Sequence, residues 1–148
     1  MESIGNSGVT VVEGDVREVA ATLEAVSAGI DLFHPVCLLM GALLHFLPAA
    51  AARDLVASYV AALAPGSYVV LSVGRGDGDA ANQGFRSYSS GGNQSYNHSV
   101  PDFTSFFGDL TLVPPGIVDA REWHPDPGEE GPFPPRSGYT IVGVARVG

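Results

Sequence analysis

The sequence contains no lysine, and its positive charge is scarce. All seven of its cations are arginines, and they stand against 16 acidic residues, which gives a net charge of −9 at pH 7. Nucleic-acid binding needs concentrated positive charge to replace counterions, so this balance argues against it. The same balance disfavours attraction to an anionic membrane surface.

Three further absences narrow the class of protein. The one cysteine, Cys37, lies in an apolar segment, so a disulfide within the chain is excluded. The longest apolar run, residues 35–48, is too short to span a bilayer, and the first residues lack the basic-then-apolar layout of a signal peptide. No histidines and cysteines occur at metal-ligand spacing, so we expect no metal. These features predict a cytoplasmic protein.

The most informative pattern is a strand, a helix and a strand, at residues 36–44, 50–63 and 67–73. Both strands are continuous apolar runs, which is typical of strands covered on both faces. Apolar residues recur through 50–63 at the spacing of one helix face. Such a unit joins two parallel strands, and ligands bind at the loops after their carboxyl ends.

The other segments complete an α/β order within one domain, as the length of 148 residues favours. Asp15 and Glu18 have the spacing of a helix capping box. A long polar insertion follows the second strand of the central unit, and its length points to a functional lid or to a disordered segment. In chain order, the remaining predicted segments are a strand at 9–13, a helix after Asp15, the polar insertion at 74–100, a helix carrying Phe103, Phe106 and Phe107, a strand at 110–113 continuing at 117–123, a Pro-rich loop at 124–138 and a final strand at 139–147.

Several sequence blocks together resemble one family. In order and spacing they are similar to an actinobacterial family of S-adenosylmethionine-dependent methyltransferases, once catalogued as a domain of unknown function. The resemblance implies an α/β, Rossmann-like methyltransferase sheet, mostly parallel with a final antiparallel strand. It also implies the cofactor S-adenosyl-L-methionine and a small-molecule methyl acceptor. The blocks are Gly14–Arg17, Pro35–Phe46, Leu63–Ser72, Phe106–Gly116, the sequence Trp-His-Pro-Asp from Trp123, and Gly138–Arg146.

The chain departs from the family pattern at its amino-terminal side. The family begins with a strand and a glycine-rich turn that cradles the methionine part of the cofactor, and a second strand then ends in an acidic residue. Neither is recognisable here, so we expect residues 1–148 to form a single, incomplete methyltransferase domain. The strand at 36–44 would then have an unpaired edge, through which a homodimer could form. Two functions stay open: a methyltransferase, or a non-catalytic Rossmann-like remnant acting as an interaction or dimerisation module.

The resemblance assigns cofactor contacts to two loops. Asp15 and Val16 would meet the adenine, the carboxylate accepting from the exocyclic amine and a backbone N–H donating to a ring nitrogen. The alternative for Asp15 is a helix cap. At the end of the central strand, Leu43, Leu44, His45 and Phe46 would line the cofactor pocket.

Candidate catalytic and acceptor-binding residues are fewer. His45 could act as a general base, since its unperturbed pKa lies near neutrality, or it could be a structural histidine bonded to a loop carbonyl. In the insertion, Tyr88, Tyr96 and His98 could line an acceptor pocket or be exposed residues of a mobile loop. The glycine-rich stretch 74–79 matches no dinucleotide fingerprint and favours a flexible loop.

Overall fold

The computed structural model describes residues 8–77, Gln83, 94–131 and 138–148. In the described segments other than Gln83, five strands form one mixed sheet and three α-helices lie beside it. The helices are α1 (Val19–Ser27), α2 (Ala49–Val60) and α3 (Val100–Ser105), and the strands are β1 (Cys37–Gly41), β2 (Tyr68–Arg75), β3 (Thr111–Leu112), β4 (Val118–Asp119) and β5 (Tyr139–Arg146). Two 3-10 turns occupy Leu44–Phe46 and Ala120–Glu122. Within the described part of the chain, no helix is long and apolar enough to cross a membrane.

The sheet has the strand order β1-β2-β5-β3, and β4 also pairs with β5. β1 is parallel to β2, with Cys37 opposite Tyr68. β5 is antiparallel to β2, β3 and β4. Strands β1 to β4 therefore run in one direction and β5 opposes them, which confirms the predicted mostly parallel sheet with a final antiparallel strand.

Strands β3 and β4 form one interrupted strand along β5. Thr111–Leu112 pair near the end of β5, and Val118–Asp119 pair near its start. The turn between them closes at Gly116, whose φ of +89° lies in the left-handed region that favours glycine. The prediction that the strand at 110–113 resumes after the turn is confirmed.

The apolar core lies on one face of the sheet. Side chains alternate between faces along a strand, and every buried strand residue belongs to the same set by register. Helix α2 and the aromatic residues in and after α3 pack onto this face, and α1 lies against α2. The strand residues of the core are Met40, Val69, Leu71, Val73, Ile141 and Ala145; the helical ones include Ala52, Leu55, Val56, Tyr59, Phe103, Phe106 and Phe107.

Gly143 allows this packing to be close. A Cβ atom at this position would lie only 2.9 Å from Cζ of Phe107 and would also contact the side chain of Ile117. Glycine within a strand marks such a close approach. Glycine at position 143 thus leaves room for the aromatic ring of Phe107, which follows α3, against the last strand.

The opposite face of the sheet is exposed along β1 and at the start of β2, whereas Val70, Val142 and Val144 on that face are partly buried. Leu39 is 66% exposed and Tyr68 is 41% exposed, and Cys37 on the same face is exposed too. Among the described residues, the expected cover on both faces is therefore not found for β1 and the start of β2. The physical reason is that the described helices pack on one side only.

The predicted strand at 9–13 is also wrong. These residues have no regular structure, and Val11 is 90% exposed. A β-branched run needs a neighbouring strand to pair with, and no described strand lies beside this one. Helix α1 starts later than predicted, at Val19, and the residue preceding it is Glu18 rather than Asp15, so the predicted capping box is not formed.

Replacing Phe103 should test the one-sided core. Phe103 is fully buried and contacts Phe106 and Phe107 edge to face, at centroid distances of 5.9 and 5.7 Å. We expect Phe103→Ala to lower the free energy of unfolding by about 3–5 kcal/mol in a urea titration. Phe33→Ala is the matched control because Phe33 is 95% exposed, and it should change stability little. Equal losses for both variants would contradict the described core.

Candidate functional site

The carboxyl ends of β1 and β2 meet at one edge of the sheet, because these strands are parallel. The first residue of β5, Tyr139, lies opposite Arg75 at the same edge. Segment 94–99 returns to this edge before α3 begins. Groups from four parts of the chain therefore converge where open α/β sheets bind their ligands.

The chain turns sharply after β1. Ala42 has a φ of +51°, an uncommon value for a residue with a side chain, and its N–H donates to the carbonyl of Ser72 at 3.1 Å. The turn Leu44–Phe46 follows, with the ring of His45 at 4.2 Å from that of Phe46. Nδ1 of His45 is buried and has no hydrogen-bond partner among the described residues. Such an atom is costly to leave unmatched and is a candidate for a functional contact.

Segment 94–99 is fastened onto this turn. The backbone N–H of Tyr96 donates to the carbonyl of His45 at 2.7 Å. Nε2 of His98 donates to the carbonyl of Leu44 at 3.1 Å. His98 is only 4% exposed and its ring stands edge-on to Phe106 at 5.1 Å. Tyr96 and His98 thus lie beside the end of β1, while Tyr88 lies outside the described residues.

A second polar network ties the end of β2 to β5. The Arg75 guanidinium donates to the Tyr139 hydroxyl at 2.8 Å and to the Asp77 carboxylate at 2.7 Å. Tyr139 in turn donates to Asp77 at 3.0 Å. Hydrogen bonds from Arg75 and, next, from Tyr139 hold the pKa of Asp77 below its usual value. Arg75 also reaches the carbonyl of His98 at 3.4 Å, which joins this network to the turn after β1.

Asn97 completes the attachment of segment 94–99. Its side-chain amide accepts from the N–H of Gly76 at 3.2 Å and donates to the carbonyl of Gly76 at 2.8 Å. Residues 75–77 are thus held by hydrogen bonds, although the glycine-rich sequence predicts a flexible loop. Asp79 lies outside the described residues. Sequence reasoning missed Arg75, Asn97 and Tyr139. The sequence signal that could have indicated this network is Arg75, a single arginine at the end of an apolar strand.

The imidazole of His45 has an altered proton affinity. Burial is the main factor that lowers its pKa, and His98 lowers it further. His45 is therefore neutral at pH 7, which is the form that can accept a proton.

The loop after residue 13 forms a separate part of the site. The carboxylate of Asp15 accepts from the guanidinium of Arg17 at 2.5 Å and from its backbone N–H at 2.9 Å. The hydrogen bond to the Arg17 side chain is the main cause that lowers the pKa of Asp15 to about 2. The carbonyl of Val16 accepts from the Tyr59 hydroxyl at 2.7 Å, so α2 fixes the position of this loop.

The structure brings the predicted cofactor residues into two groups. Val16 and Leu43 line one apolar groove of about 220 Å³ between α1, α2 and β1. His45 and Phe46 lie at the strand end with Tyr96 and His98. Leu44 belongs to neither group because its side chain is fully buried in the core. Its backbone carbonyl accepts the hydrogen bond from His98.

Comparison with known proteins identifies the class. A Rossmann-like sheet with polar groups at the carboxyl edge is common to many enzymes, so the fold alone does not identify the family. Sequence similarity is needed for that. A family model described as S-adenosyl methyltransferase matches residues 1–148. The chain belongs to this family, which confirms the family predicted from the sequence blocks and its cofactor, S-adenosylmethionine. No curated protein sequence is significantly similar to it.

Solved structures agree with this family. A DUF574 family protein from Streptomyces avermitilis is 28% identical with a TM-score of 0.82, and the match covers 93% of this chain and 54% of that one. A candidate methyltransferase from Thermobifida fusca is 27% identical with a TM-score of 0.76, over 90% and 52% of the two chains. This chain thus spans about half the length of both. Geranyl diphosphate C-methyltransferase from Streptomyces coelicolor, at 13% identity and a TM-score of 0.50 over 76% and 45%, shares the fold alone.

Removing the Tyr139 hydroxyl should loosen the Arg75 network. Tyr139→Phe deletes the hydroxyl that bonds to both Arg75 and Asp77, so we expect a loss of about 0.5–1.5 kcal/mol in unfolding free energy. The pKa of Asp77 should rise towards its usual 3.8, because its ionised form loses a donor. Urea unfolding and an NMR titration of the carboxyl group measure the two effects. Tyr68→Phe is the control, since the Tyr68 hydroxyl has no hydrogen bond among the described residues.

The pH dependence of stability should report the burial of His45. Its pKa is lowered in the folded state, so below its usual value of 6.5 the unfolded chain binds a proton that the folded chain resists. Stability should therefore fall as the pH drops below about 6.5. His45→Gln should flatten that fall in urea titrations across this range. An unchanged slope in the variant would show that His45 is not the group responsible.

Proposed function

We propose that this chain forms part of an S-adenosylmethionine-dependent methyltransferase that acts on a small-molecule acceptor. The observation that carries the proposal is the match of the family model to the whole sequence. The convergence of His45, Phe46, Tyr96 and His98 at the carboxyl edge of β1 and β2 supports it. In this proposal the chain supplies the adenine side of the cofactor site and part of the acceptor side.

The loop at Asp15 and Val16 suits an adenine. An open groove of about 310 Å³ lies between residues 12–16 and α1, and the apolar groove with Val16 and Leu43 adjoins it. The Asp15 carboxylate is accessible, with its side chain 41% exposed, and it accepts from the backbone N–H, the Nε–H and the Nη2–H of Arg17. A carboxylate accepts about four hydrogen bonds, so an adenine amine would take the place of one guanidinium donor. Asp15 would then share its oxygens between Arg17 and the adenine amine. Arg17 keeps Asp15 ionised, as an acceptor must be.

Methyl transfer places few demands on the protein beyond alignment. The bound cofactor supplies an electrophilic methyl group on a sulfonium. The protein holds the acceptor nucleophile in line with it, which is a contribution of proximity. Neutral His45 would take the proton of an acceptor O–H or N–H at Nδ1, while Phe46 and Tyr96 would form apolar walls. His98 would position His45 through its hydrogen bond to the preceding carbonyl.

The second candidate function is the non-catalytic interaction module. One observation favours it: among the described strands, β1 pairs with β2 alone, and Leu39 of β1 is exposed. A homodimer formed through this edge stays a prediction, as do the acceptor role of Tyr88 and a cytoplasmic location. The two functions differ in whether the chain binds the cofactor.

Calorimetric titration with S-adenosylhomocysteine separates them. We expect the chain to bind with a Kd of about micromolar order and Asp15→Asn to weaken binding at least about tenfold, because the adenine amine loses a charged acceptor. The control is Asp54→Asn, which changes an exposed carboxylate on α2 that pairs with Arg53. Absence of binding by the parent chain at high ligand concentration would exclude catalysis by this chain alone.

A further inference from the structure

Two consecutive peptide groups in the loop at residues 12–18 are held by different helices. The carbonyl of Asp15 accepts from the N–H of Glu18 at 2.9 Å and from the Thr22 hydroxyl at 3.2 Å. Thr22 belongs to α1, so this helix fixes the peptide group between Asp15 and Val16. In a trans peptide the N–H points opposite to the C=O, and the Val16 N–H has no acceptor among the described residues.

The next peptide group, between Val16 and Arg17, is bonded at both ends. Its carbonyl accepts from the Tyr59 hydroxyl at 2.7 Å, and its N–H donates to the Asp15 carboxylate at 2.9 Å. The hydroxyl, the peptide group and the carboxylate thus form one continuous chain of hydrogen bonds. Each bond in such a chain polarises the next and strengthens it. Tyr59 therefore acts on the hydrogen bond that the Asp15 carboxylate accepts from the backbone.

That backbone bond is the durable restraint on Asp15. The Arg17 guanidinium also donates to the carboxylate, but its side chain is 68% exposed, and exposed ion pairs hold their geometry weakly. In the proposed function, the adenine amine takes the place of one of these guanidinium donors. The backbone N–H of Arg17 is the donor that stays on the carboxylate with or without the ligand. The group that orients this N–H therefore also orients Asp15.

Tyr59 is itself fixed in position. It is 3% exposed and lies in the core with Leu55 and Val56, on the buried face of α2. A buried tyrosine needs a partner for its hydroxyl, and the Val16 carbonyl is that partner. Among the described residues, no other hydrogen bond joins residues 12–18 to a part of the chain beyond α1. This hydroxyl is therefore the polar link between the loop and the main body of the domain.

Helix α2 also connects the loop to the other half of the candidate site. It begins at Ala49, shortly after the turn that carries His45. Tyr59 lies about 15 Å further along the helix axis, at the rise of an α-helix. The side chains of Tyr59 and Val16 line the same apolar groove of about 220 Å³. One rigid helix thus sets the loop at a defined distance from the strand end where the acceptor would lie.

We propose that Tyr59 is a positioning residue for the cofactor, which orients the Asp15 carboxylate towards the adenine amine through the Val16–Arg17 peptide group. This role rests on the proposed function, because the contact between Asp15 and adenine is part of it. The Tyr59 hydroxyl gives its single proton to the Val16 carbonyl. Its effect on binding therefore passes through Asp15 and needs no hydrogen bond of its own to the cofactor.

Tyr59→Phe removes the hydroxyl and keeps the buried ring. In calorimetric titrations with S-adenosylhomocysteine, we expect this variant to bind about three- to tenfold more weakly than the parent chain, as the loss of one hydrogen bond predicts. Tyr68→Phe is the matched control and should bind as the parent does, because Tyr68 is 41% exposed and its hydroxyl has no hydrogen bond among the described residues. Equal affinities of Tyr59→Phe and the parent overturn the proposal.

A double-mutant cycle tests whether Tyr59 acts through Asp15. Asp15→Ala removes the carboxylate at which the chain of hydrogen bonds ends. In that background we expect Tyr59→Phe to change the affinity less than about twofold, since two residues that act as a unit are not additive. A merely structural tyrosine would weaken binding equally in both backgrounds, and that result would also overturn the proposal.

An NMR measurement without ligand separates this role from the proposed function. The amide proton of Arg17 should shift upfield in Tyr59→Phe, because its peptide group loses the bond that polarises it, and should stay unchanged in Tyr68→Phe. If the shift occurs but the parent chain does not bind S-adenosylhomocysteine, the proposed function is refuted and Tyr59 still positions Asp15. An unshifted Arg17 amide overturns the positioning role even if the parent chain binds.

Discussion

The pairing of β2 with β1 on one side and β5 on the other is the interaction on which the rest of the structure depends. It fixes which side chains face the helices, and Val69, Leu71 and Val73 of β2 are all fully buried there. It also sets the carboxyl ends of β1 and β2 and the start of β5 at one edge. The turn at His45 and the network at Arg75 both follow from that placement.

The two polar clusters at this edge support each other through segment 94–99. Tyr96 and His98 bond to carbonyls of the turn after β1, while Asn97 bonds to the backbone after β2. The segment therefore connects the ends of neighbouring strands with three consecutive residues. Three of these four bonds use the side chains of Asn97 and His98, so the arrangement depends on these two residues as well as on the strand register.

Much of the fold could be predicted from local pattern, and much of the site could not. The strand, helix and strand at 36–73 are visible in the sequence because the strands are apolar runs and α2 has the periodicity of an amphipathic helix. The final antiparallel strand followed from the family resemblance. By contrast, Arg75 and Tyr139 are 64 residues apart, and only the register of β2 with β5 brings them together. No local pattern encodes that contact.

The wrong prediction at residues 9–13 has the same origin in non-local pairing. A run of valines has the composition of a strand wherever it lies, but it becomes one only beside a partner. The continuous apolar sequence of β1 likewise predicts cover on both faces, whereas the described chain covers one. The composition of these segments is therefore typical of strands within a larger sheet. Their conformation depends on the neighbours that the described structure contains.

The open edge and the candidate site are physically linked because both belong to β1. Its outer edge pairs with no described strand, and its next residues, Ala42 and Leu43, lead directly into the turn that carries His45. A strand bonded along that edge would restrain Gly41, one residue before the positive φ of Ala42. Such a strand would thus restrain the geometry of His45 as well as stabilise the sheet.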